Sequence, residues 1–378
     1  MTTNSHGFVH DGYEEVKKVF DGHFETGADI GASFCATRNG ETVVDLWGGY
    51  ADAAKTKPWQ KDTIINVYST TKTMTALTAL LLADRGLIDF DAPVAKYWPE
   101  FAANGKAAVK VSHLMSHSAG LSGWKEPVTV HDIYDWDKMT SLLAAQAPFW
   151  EPGTAPGYHG LTQGYLVGEV IRRVTGKSIG AVFREEIAQP LGADFWIGLP
   201  ASEDARVADL IPPPPGEGAG DGTLSELARN MATNPGIDVS ETKTRAWRGA
   251  EIPAAGGTGN ARSVAEIHTI LANGGVAKGK RFLSEAGCRK ALELQIDGTD
   301  KVMGIRARFG MGFGLAGGAV PLPSPNTIYW GGYGGSIAII DMDAHTTVAY
   351  VMNVMHGTTT GDLRGFGLAM AAWDALAK

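Results

Sequence analysis

The sequence predicts an α+β fold, an α/β sandwich in which an antiparallel sheet drawn from both ends of the chain is flanked by terminal helices. A mainly α-helical domain is inserted between the two ends. Three observations predict this. An Asn39-Gly40 pair separates two β-prone runs near the N-terminus, a second pair of β-prone runs lies near the C-terminus, and the stretch between them is helical in its patterning. At 378 residues the chain is long enough for two domains or for one large domain carrying an inserted lobe. Hydrophobic and charged fractions of 44% and 20% exclude a wholly disordered chain.

The elements follow in order. Tyr13, Val16, Phe20 and Phe24 recur at helical spacing among charged residues, so the chain is expected to open with an amphipathic helix. GASFCATRNGETVVDLWGG comes next, and Asn39-Gly40 tolerates the positive φ of a tight hairpin turn. From about residue 70 to residue 195 the pattern is mostly helical. TMTALTALLLADRG stops at Gly86 and LTQGYLVGEVIRRVTG at Gly176, both natural C-caps. PPPPGEGAGDG (212–222) is a Pro/Gly loop, too short and isolated to join domains. SIAIID (336–341) and TVAYVMNVM (347–355) flank DAHT as a further hairpin, and Leu363, Phe366, Met370 and Trp373 mark a final helix. The expected division is a sheet domain of residues 1–66 and 255–378, and a mainly helical domain of residues 67–254.

The charge balance narrows the functional classes. Lys plus Arg is 33 and Asp plus Glu is 41, a formal net charge of -8. An acidic chain with no long basic run is a poor binder of nucleic acid. No apolar run reaches the ~18–20 residues that cross a bilayer. Cys35 and Cys288 are too few for a zinc site, and two thiols in a chain of this size are expected to be free and buried rather than paired. MTTNSHGFVHDGYEEVKK has no basic segment followed by an apolar one, so a cytoplasmic location is expected.

Several motifs point to chemistry, not all of them soundly. Gly176-Lys177-Ser178-Ile179-Gly180 matches G-x-S-x-G, but a nucleophile elbow needs a strand before the serine and here a helix precedes it. A phosphate loop is also excluded, because Ile171 stands where its first glycine belongs. His113 and His117 lie four apart without an intervening Glu or an evident third ligand, so they are read as buried structural histidines and no metal is expected. Gly310-Met311-Gly312-Phe313-Gly314 is followed by no helical pattern and reads as strand or loop.

Ser69-Thr70-Thr71-Lys72 is the strongest motif. It follows the β-prone INVY and opens the helix TMTALTALLLADRG, so Ser69 and Lys72 share a helix face. The helix dipole favours charge developing on the serine. A buried lysine gives up its proton readily and can then accept the serine's. S-x-x-K alone arises often by chance, but its surroundings are distinctive. HLMSHSAGL (113–121), EPGTAPGYHGLTQGYLVGEVIRRVTG (151–176) and WGGYGGSIAIID (330–341) follow in order. Together these segments resemble the S-x-x-K serine hydrolases: penicillin-binding proteins, class C β-lactamases and family VIII carboxylesterases. The likeness runs through most of the chain and implies a β-lactamase-like fold.

The resemblance assigns roles. Tyr158 stands for the tyrosine of Tyr-x-Asn, although Gly160 replaces the asparagine. It would share a proton with Ser69 and Lys72, and a phenolate beside an ammonium is one workable charge state because the cation lowers the tyrosine's pKa. The HLMSHSAGL block would be structural. Trp330-Gly331-Gly332 replaces the Lys-Thr-Gly of β-lactamases and peptidases. Tryptophan offers an apolar wall in place of a cation for a substrate carboxylate, and the glycines let the strand edge approach the scissile group. The oxyanion hole would be formed by the N–H groups of Ser69 and Tyr333. Trp-Gly-Gly together with Tyr-His-x is the family VIII pattern. It implies a cofactor-free serine carboxylesterase for small ester substrates, with short-chain esters preferred and Lys72 or Tyr158 as base. A β-lactamase or D-Ala-D-Ala peptidase, or an acyltransferase using the same acyl-enzyme, are the alternatives. A non-catalytic relative of the fold is the reading from another class, disfavoured because serine, lysine and tyrosine are all retained.

Overall fold

The computed structural model describes residues 5–218 and 224–376. The end of the Pro/Gly loop, from residue 219, and the first four residues of the N-terminal segment lie outside the described residues. The main sheet has nine strands: β1 (Ser5–Val9), β2 (Gly31–Arg38), β3 (Glu41–Gly49), β4 (Ile296–Thr299), β5 (Arg306–Phe309), β6 (Gly314–Leu315), β7 (Thr327–Gly331), β8 (Ile337–Asp341) and β9 (Thr346–Met352). Their spatial order is β1-β3-β2-β9-β8-β7-β6-β5-β4, antiparallel throughout. The last strand therefore pairs with the first hairpin, and the two ends of the chain close one sheet.

The hairpin at Asn39-Gly40 forms as its sequence dictates, with both residues at positive φ, 50° and 85°. The chain does not open with a helix, however. Ser5–Val9 pairs along β3 before the helix α1 (Glu14–Thr26) begins, and its mostly exposed side chains gave no alternation to detect. The Gly-rich run 310–314 is the turn joining β5 to β6.

Helix α1 buries Val16 and Phe20, ends on Gly27 at φ 76°, and packs against the last helix. Between the sheet's two sequence halves lie the helices α2 (Thr71–Asp84), α3 (Thr162–Thr175) and α4 (Glu226–Thr233); then come α5 (Ala261–Ala272) and, at the end, α6 (Leu363–Leu376). Helices cover both faces of the sheet. Thr347 of β9 bonds the Ala265 carbonyl of α5, whereas Tyr350, which points to the opposite face, reaches Asp29 beside α6. Cys35 and Cys288 are free and buried. Among the described residues no helix is long and apolar enough to cross a membrane.

Leu363 and Met370, two of the four residues whose spacing marks the final helix, are 88% and 64% exposed. The buried positions are Arg364, Gly365, Leu368, Ala369, Ala371 and Ala372, and the glycine and alanines among them let the helix lie close to the sheet.

Helix α2 is buried on nearly every side from Thr71 to Leu82. An apolar helix studded with threonines suits that position, because each hydroxyl is satisfied by a carbonyl: Thr73 by Thr70, Thr75 by Pro253, Thr78 by Met74. Its N-terminus is fixed by a small three-stranded sheet, Ile65–Asn66 against Thr258–Gly259 against Phe195–Trp196.

Candidate active site

The site is built at the N-terminal end of α2. After Ile65–Asn66 the chain makes a 3-10 turn, Tyr68–Thr70, directly before the helix. Tyr68 takes a φ of 44°, an uncommon conformation for an aromatic residue. Surrounding contacts enforce it. Its ring packs edge-on against Tyr333, Val67 N–H donates to the Gly257 carbonyl, and the Thr71 hydroxyl donates to the Tyr68 carbonyl. Ser336 supplies a further tie. Its hydroxyl donates to the Val67 carbonyl at 2.9 Å and lies 3.0 Å from the Thr70 hydroxyl, fastening the start of β8 to the serine's turn.

Ser69, Lys72 and Tyr158 meet here. Ser69 Oγ is 2.5 Å from the Tyr158 hydroxyl, and Lys72 Nζ is 3.0 Å from each. Lys72 Nζ also donates to the carbonyls of Gly160 at 2.7 Å and Ala254 at 3.0 Å. Carbonyls only accept, so those two contacts use two amine hydrogens. One position on the nitrogen, a third hydrogen or a lone pair, faces both hydroxyls.

Burial decides between these states. Lys72 is buried with no carboxylate bonded to it among the described residues, and this desolvation pushes its pKa well below the ordinary lysine value. Burial also pushes the Tyr158 phenol up, to about 12; the Ser69 hydroxyl and the Trp330 indole pull the other way, and Asp300 adds to the rise. Of the two charge states open from the sequence, the ammonium–phenolate pair is thus opposed at both partners. A neutral amine with its lone pair toward Ser69 and Tyr158 fits the burial and the hydrogen-bond geometry together.

The loop that carries Tyr158 is braced from behind. Gly157 N–H donates to the His117 carbonyl, and His159 N–H donates to His117 Nδ1 at 3.1 Å. His159 Nδ1–H donates to the Gly157 carbonyl while its Nε2 accepts from Leu121 N–H. Each ring thus uses one nitrogen as an acceptor and is neutral, in keeping with the burial that lowers His117 far below its usual range and His159 to about 4. The HLMSHSAGL block is therefore a brace for the tyrosine loop. His159 was missed as a member of it because only the fold brings residues 117 and 159 together.

Trp330, at the end of β7, is 6% exposed. Its ring stacks on His117 with centroids 5.0 Å apart and lies 5.5 Å from Phe309 and 6.0 Å from Tyr158. With Asp300, Met303, Ile305, Ala307, Phe309 and Tyr158 it walls a small pocket, and Tyr158 links that pocket to the serine. The two glycines after it have internal reasons to lack a side chain. A Cβ on Gly331 would meet the Thr360–Gly361 backbone at 2.3 Å, and one on Gly332 would meet the Val67 carbonyl at 2.2 Å. They allow β7 to approach the serine's turn and the 360 loop. Tyr333 N–H has no acceptor among the described residues, and Ser69 N–H opens a helical turn, where backbone donors lack intrahelical partners.

Ser178, the alternative serine, is a helix N-cap. Its Oγ accepts from Ala181 N–H and donates to Glu251 at 2.6 Å, and the preceding element is α3, which ends on Gly176. His113 accepts from Lys110 N–H at the first turn of its own short helix. The space of the missing asparagine is filled, since a Cβ on Gly160 would lie 3.0 Å from Cγ and Sδ of Met231. Sequence reasoning also passed over Asp300, which accepts from Tyr158 N–H at 3.0 Å, and Ser336.

Comparison with known proteins adds an independent line. A family model described as Beta-lactamase matches residues 16–370. Esterase/beta-lactamase LipL of Mycobacterium tuberculosis (strain ATCC 25618 / H37Rv) is 41% identical over 266 residues, 67% of this chain and 61% of that protein, so the match spans about three fifths of LipL's length. Esterase EstB of Burkholderia gladioli is 26% identical over 373 residues, 91% of each chain. Among solved structures, that of a family VIII carboxylesterase is 44% identical with a TM-score of 0.93, covering 98% of this chain and 99% of the other. A penicillin-binding protein homolog from Caulobacter crescentus is 38% identical with a TM-score of 0.92, covering 99% and 100%.

Proposed function

Because this chain belongs to the beta-lactamase family, we propose that it is a serine carboxylesterase acting through an acyl-enzyme on Ser69, with a preference for short-chain esters. The observation that carries the reading is the contact of Ser69 Oγ with Tyr158 at 2.5 Å and Lys72 at 3.0 Å, beside a pocket walled by Trp330 where the related lactamase motif has a lysine.

In this reading Ser69 Oγ attacks the ester carbonyl carbon while Lys72 Nζ takes the hydroxyl proton. The carbonyl electron pair moves onto oxygen, held between the N–H groups of Ser69 and Tyr333. As the tetrahedral centre collapses, the bond to the alcohol oxygen breaks. The proton passes from Lys72 through the Tyr158 hydroxyl to the departing alkoxide, which leaves as the alcohol. Water then attacks the acyl-enzyme by the same proton path in reverse, releasing the acid and restoring Ser69.

Trp330 argues for esters over β-lactams. A substrate carboxylate placed against its ring would lose hydration without gaining a cation, and an unpaired buried charge is costly. A slow side reaction on β-lactams is the second reading, supported by the similarity to LipL, whose name carries both activities. A cytoplasmic location is part of the same proposal. The test is a set of p-nitrophenyl esters of graded chain length run beside a chromogenic, carboxylate-bearing cephalosporin. Efficient turnover of the short esters with poor turnover of the cephalosporin is expected. Equal efficiency on both would put the lactamase reading first.

A further inference from the structure

Tyr68 holds a backbone conformation that its residue type disfavours. Among the described residues it is the only Phe, Tyr or Trp at positive φ, and a glycine would take its 44° without the steric penalty. Strain of this kind persists where surrounding contacts over-determine it, and it gathers at active sites. The ring is what a glycine would lack, so its neighbours bear on what the strain secures. Trp247 lies 6.2 Å away between centroids, and its indole N–H donates to Asn66 Oδ1 at 3.2 Å, on the strand that leads to the serine. Asn66 Nδ2 donates in turn to the carbonyls of Ala255 and Gly257. On the other side the Tyr333 ring stands edge-on, at 5.5 Å and 77°.

These two rings belong to the backbone that supplies the oxyanion donors. The Ser69 N–H lies in the peptide plane that begins at Tyr68, so the backbone of Tyr68 sets its direction. Tyr333 carries the other N–H itself. The donors come from separate segments, the turn before α2 and the loop after β7. Ser336 fastens those segments at Val67 and Thr70. The neighbours of Tyr333 spend their own N–H groups, Gly332 on the Ser336 carbonyl at 2.7 Å and Gly334 on the Thr358 carbonyl at 3.0 Å. Tyr333 is the only residue with a side chain in the run from Gly331 to Gly335, and Gly334 and Gly335 follow it at φ 98° and 127°. A backbone with that freedom has one side-chain anchor to use, and the anchor is placed against Tyr68.

Resting on the proposed function, we propose that Tyr68 and Tyr333 are positioning residues of the oxyanion hole: the edge-to-face contact of their rings holds the Ser69 and Tyr333 N–H groups in the directions the tetrahedral oxyanion requires. Donors of this kind act by being aimed before the charge develops, so a small misdirection is costly. The ground-state ester depends on them less, because its carbonyl oxygen carries less charge. Trp247, fastened to Asn66, is the backing against which the Tyr68 ring is set. The contact is made by the rings, and the phenol hydroxyls have no part in it.

The test is Tyr333→Ala, which keeps the backbone N–H and removes a half-buried ring. With p-nitrophenyl butyrate, kcat should fall by about 10–10²-fold while KM changes little. Tyr333→Phe should recover most of that loss, since its ring presents the same edge. A second readout compares two inhibitors. At the carbonyl carbon of 1,1,1-trifluoropentan-2-one the Ser69 oxygen adds, the carbonyl electron pair becomes an oxyanion, and the serine proton goes to Lys72. The corresponding alcohol, 1,1,1-trifluoropentan-2-ol, has nearly the same shape and forms no oxyanion. Tyr333→Ala should weaken the ketone by about tenfold or more and leave the alcohol's affinity as it was, a split that loss of folded protein would not produce. Added to Tyr68→Leu, Tyr333→Ala should cost little more, because both remove one contact. A Tyr333→Ala enzyme with the parent's kcat, a Tyr333→Phe enzyme as poor as Tyr333→Ala, or ketone and alcohol affinities that fall together would overturn the positioning role alone. An unmodified enzyme that bound the ketone no better than the alcohol would instead overturn the Ser69 oxyanion on which the esterase reading stands, and this role with it.

Discussion

At Lys72 the arrangement of acceptors, rather than the presence of a lysine, sets the chemistry. Two carbonyls hold the nitrogen in place, and burial keeps it short of a proton. A group with a lowered pKa is neutral above that pKa, so Lys72, as the proposed base, would be ready over a pH range where a free lysine is still charged. The phenol of Tyr158, pushed up to about 12, stays protonated over the same range. Esterase kcat/KM should therefore rise with pH through a midpoint well below the ordinary lysine value and then hold a plateau. A rise delayed to the ordinary lysine range of about 10.4 would contradict the neutral-amine account. Lys72→Ala and Tyr158→Phe should each lower turnover by about 10²–10⁴-fold, and the double variant should be little worse than the worse single, because the groups handle one proton. Losses that multiplied would place one of them outside the unit. Ser69, Lys72 and Tyr158 were legible in the sequence because S-x-x-K and Tyr-His-x are local patterns. The charge state was not, because it depends on burial by segments far away along the chain.

Among the elements, the helix that replaces the missing asparagine is informative. Met231 of α4 occupies the space beside Gly160, whose carbonyl also holds Lys72. Restoring the lactamase-like residue should thus not be neutral. Gly160→Asn is expected to destabilise the protein by about 1–3 kcal/mol through overpacking, read from urea unfolding, and to lower esterase turnover by shifting the Lys72 contact. Adding Met231→Ala should recover part of the stability. A Gly160→Asn protein as stable as its parent would show that the space is not filled as described. Both hairpins were readable because turn chemistry and β-propensity agree over a few residues. Two elements escaped. Ser5–Val9 has too few buried side chains to alternate, and the face the final helix buries was not legible, because it is made largely of small residues while Leu363 and Met370 point outward. The reason for setting Ser178 aside belongs to this scale, and the element before it is a helix as the pattern implied.

Over the whole molecule, both chain ends converge on one buried ionic network. Asp29, between α1 and β2, accepts from the Tyr350 hydroxyl of β9 at 2.7 and 2.6 Å and from Arg364 of α6 at 2.8 Å. Arg364 goes on to bond Asp362 and the carbonyl of Gly334, next to the Tyr333 amide. Asp29→Ala leaves Arg364 with Asp362 as its carboxylate but strands the buried Tyr350 hydroxyl, so it should destabilise the protein by about 1–3 kcal/mol in chemical unfolding. A change under about 1 kcal/mol, the scale of an exposed pair, would show that the network does not join the chain ends. Such contacts were invisible in the sequence, as was the bond from Tyr158 to Asp300, because nothing local marks partners more than a hundred residues apart. The central claim is that ester hydrolysis passes through an acyl group on Ser69. It is tested most directly by stopping the reaction with p-nitrophenyl butyrate in acid during turnover and mapping the modified peptide by mass spectrometry. The account predicts one butyryl group, on the peptide containing Ser69, and none in the Ser69→Ala protein. A butyryl group on Ser178, or active turnover by Ser69→Ala, would contradict it.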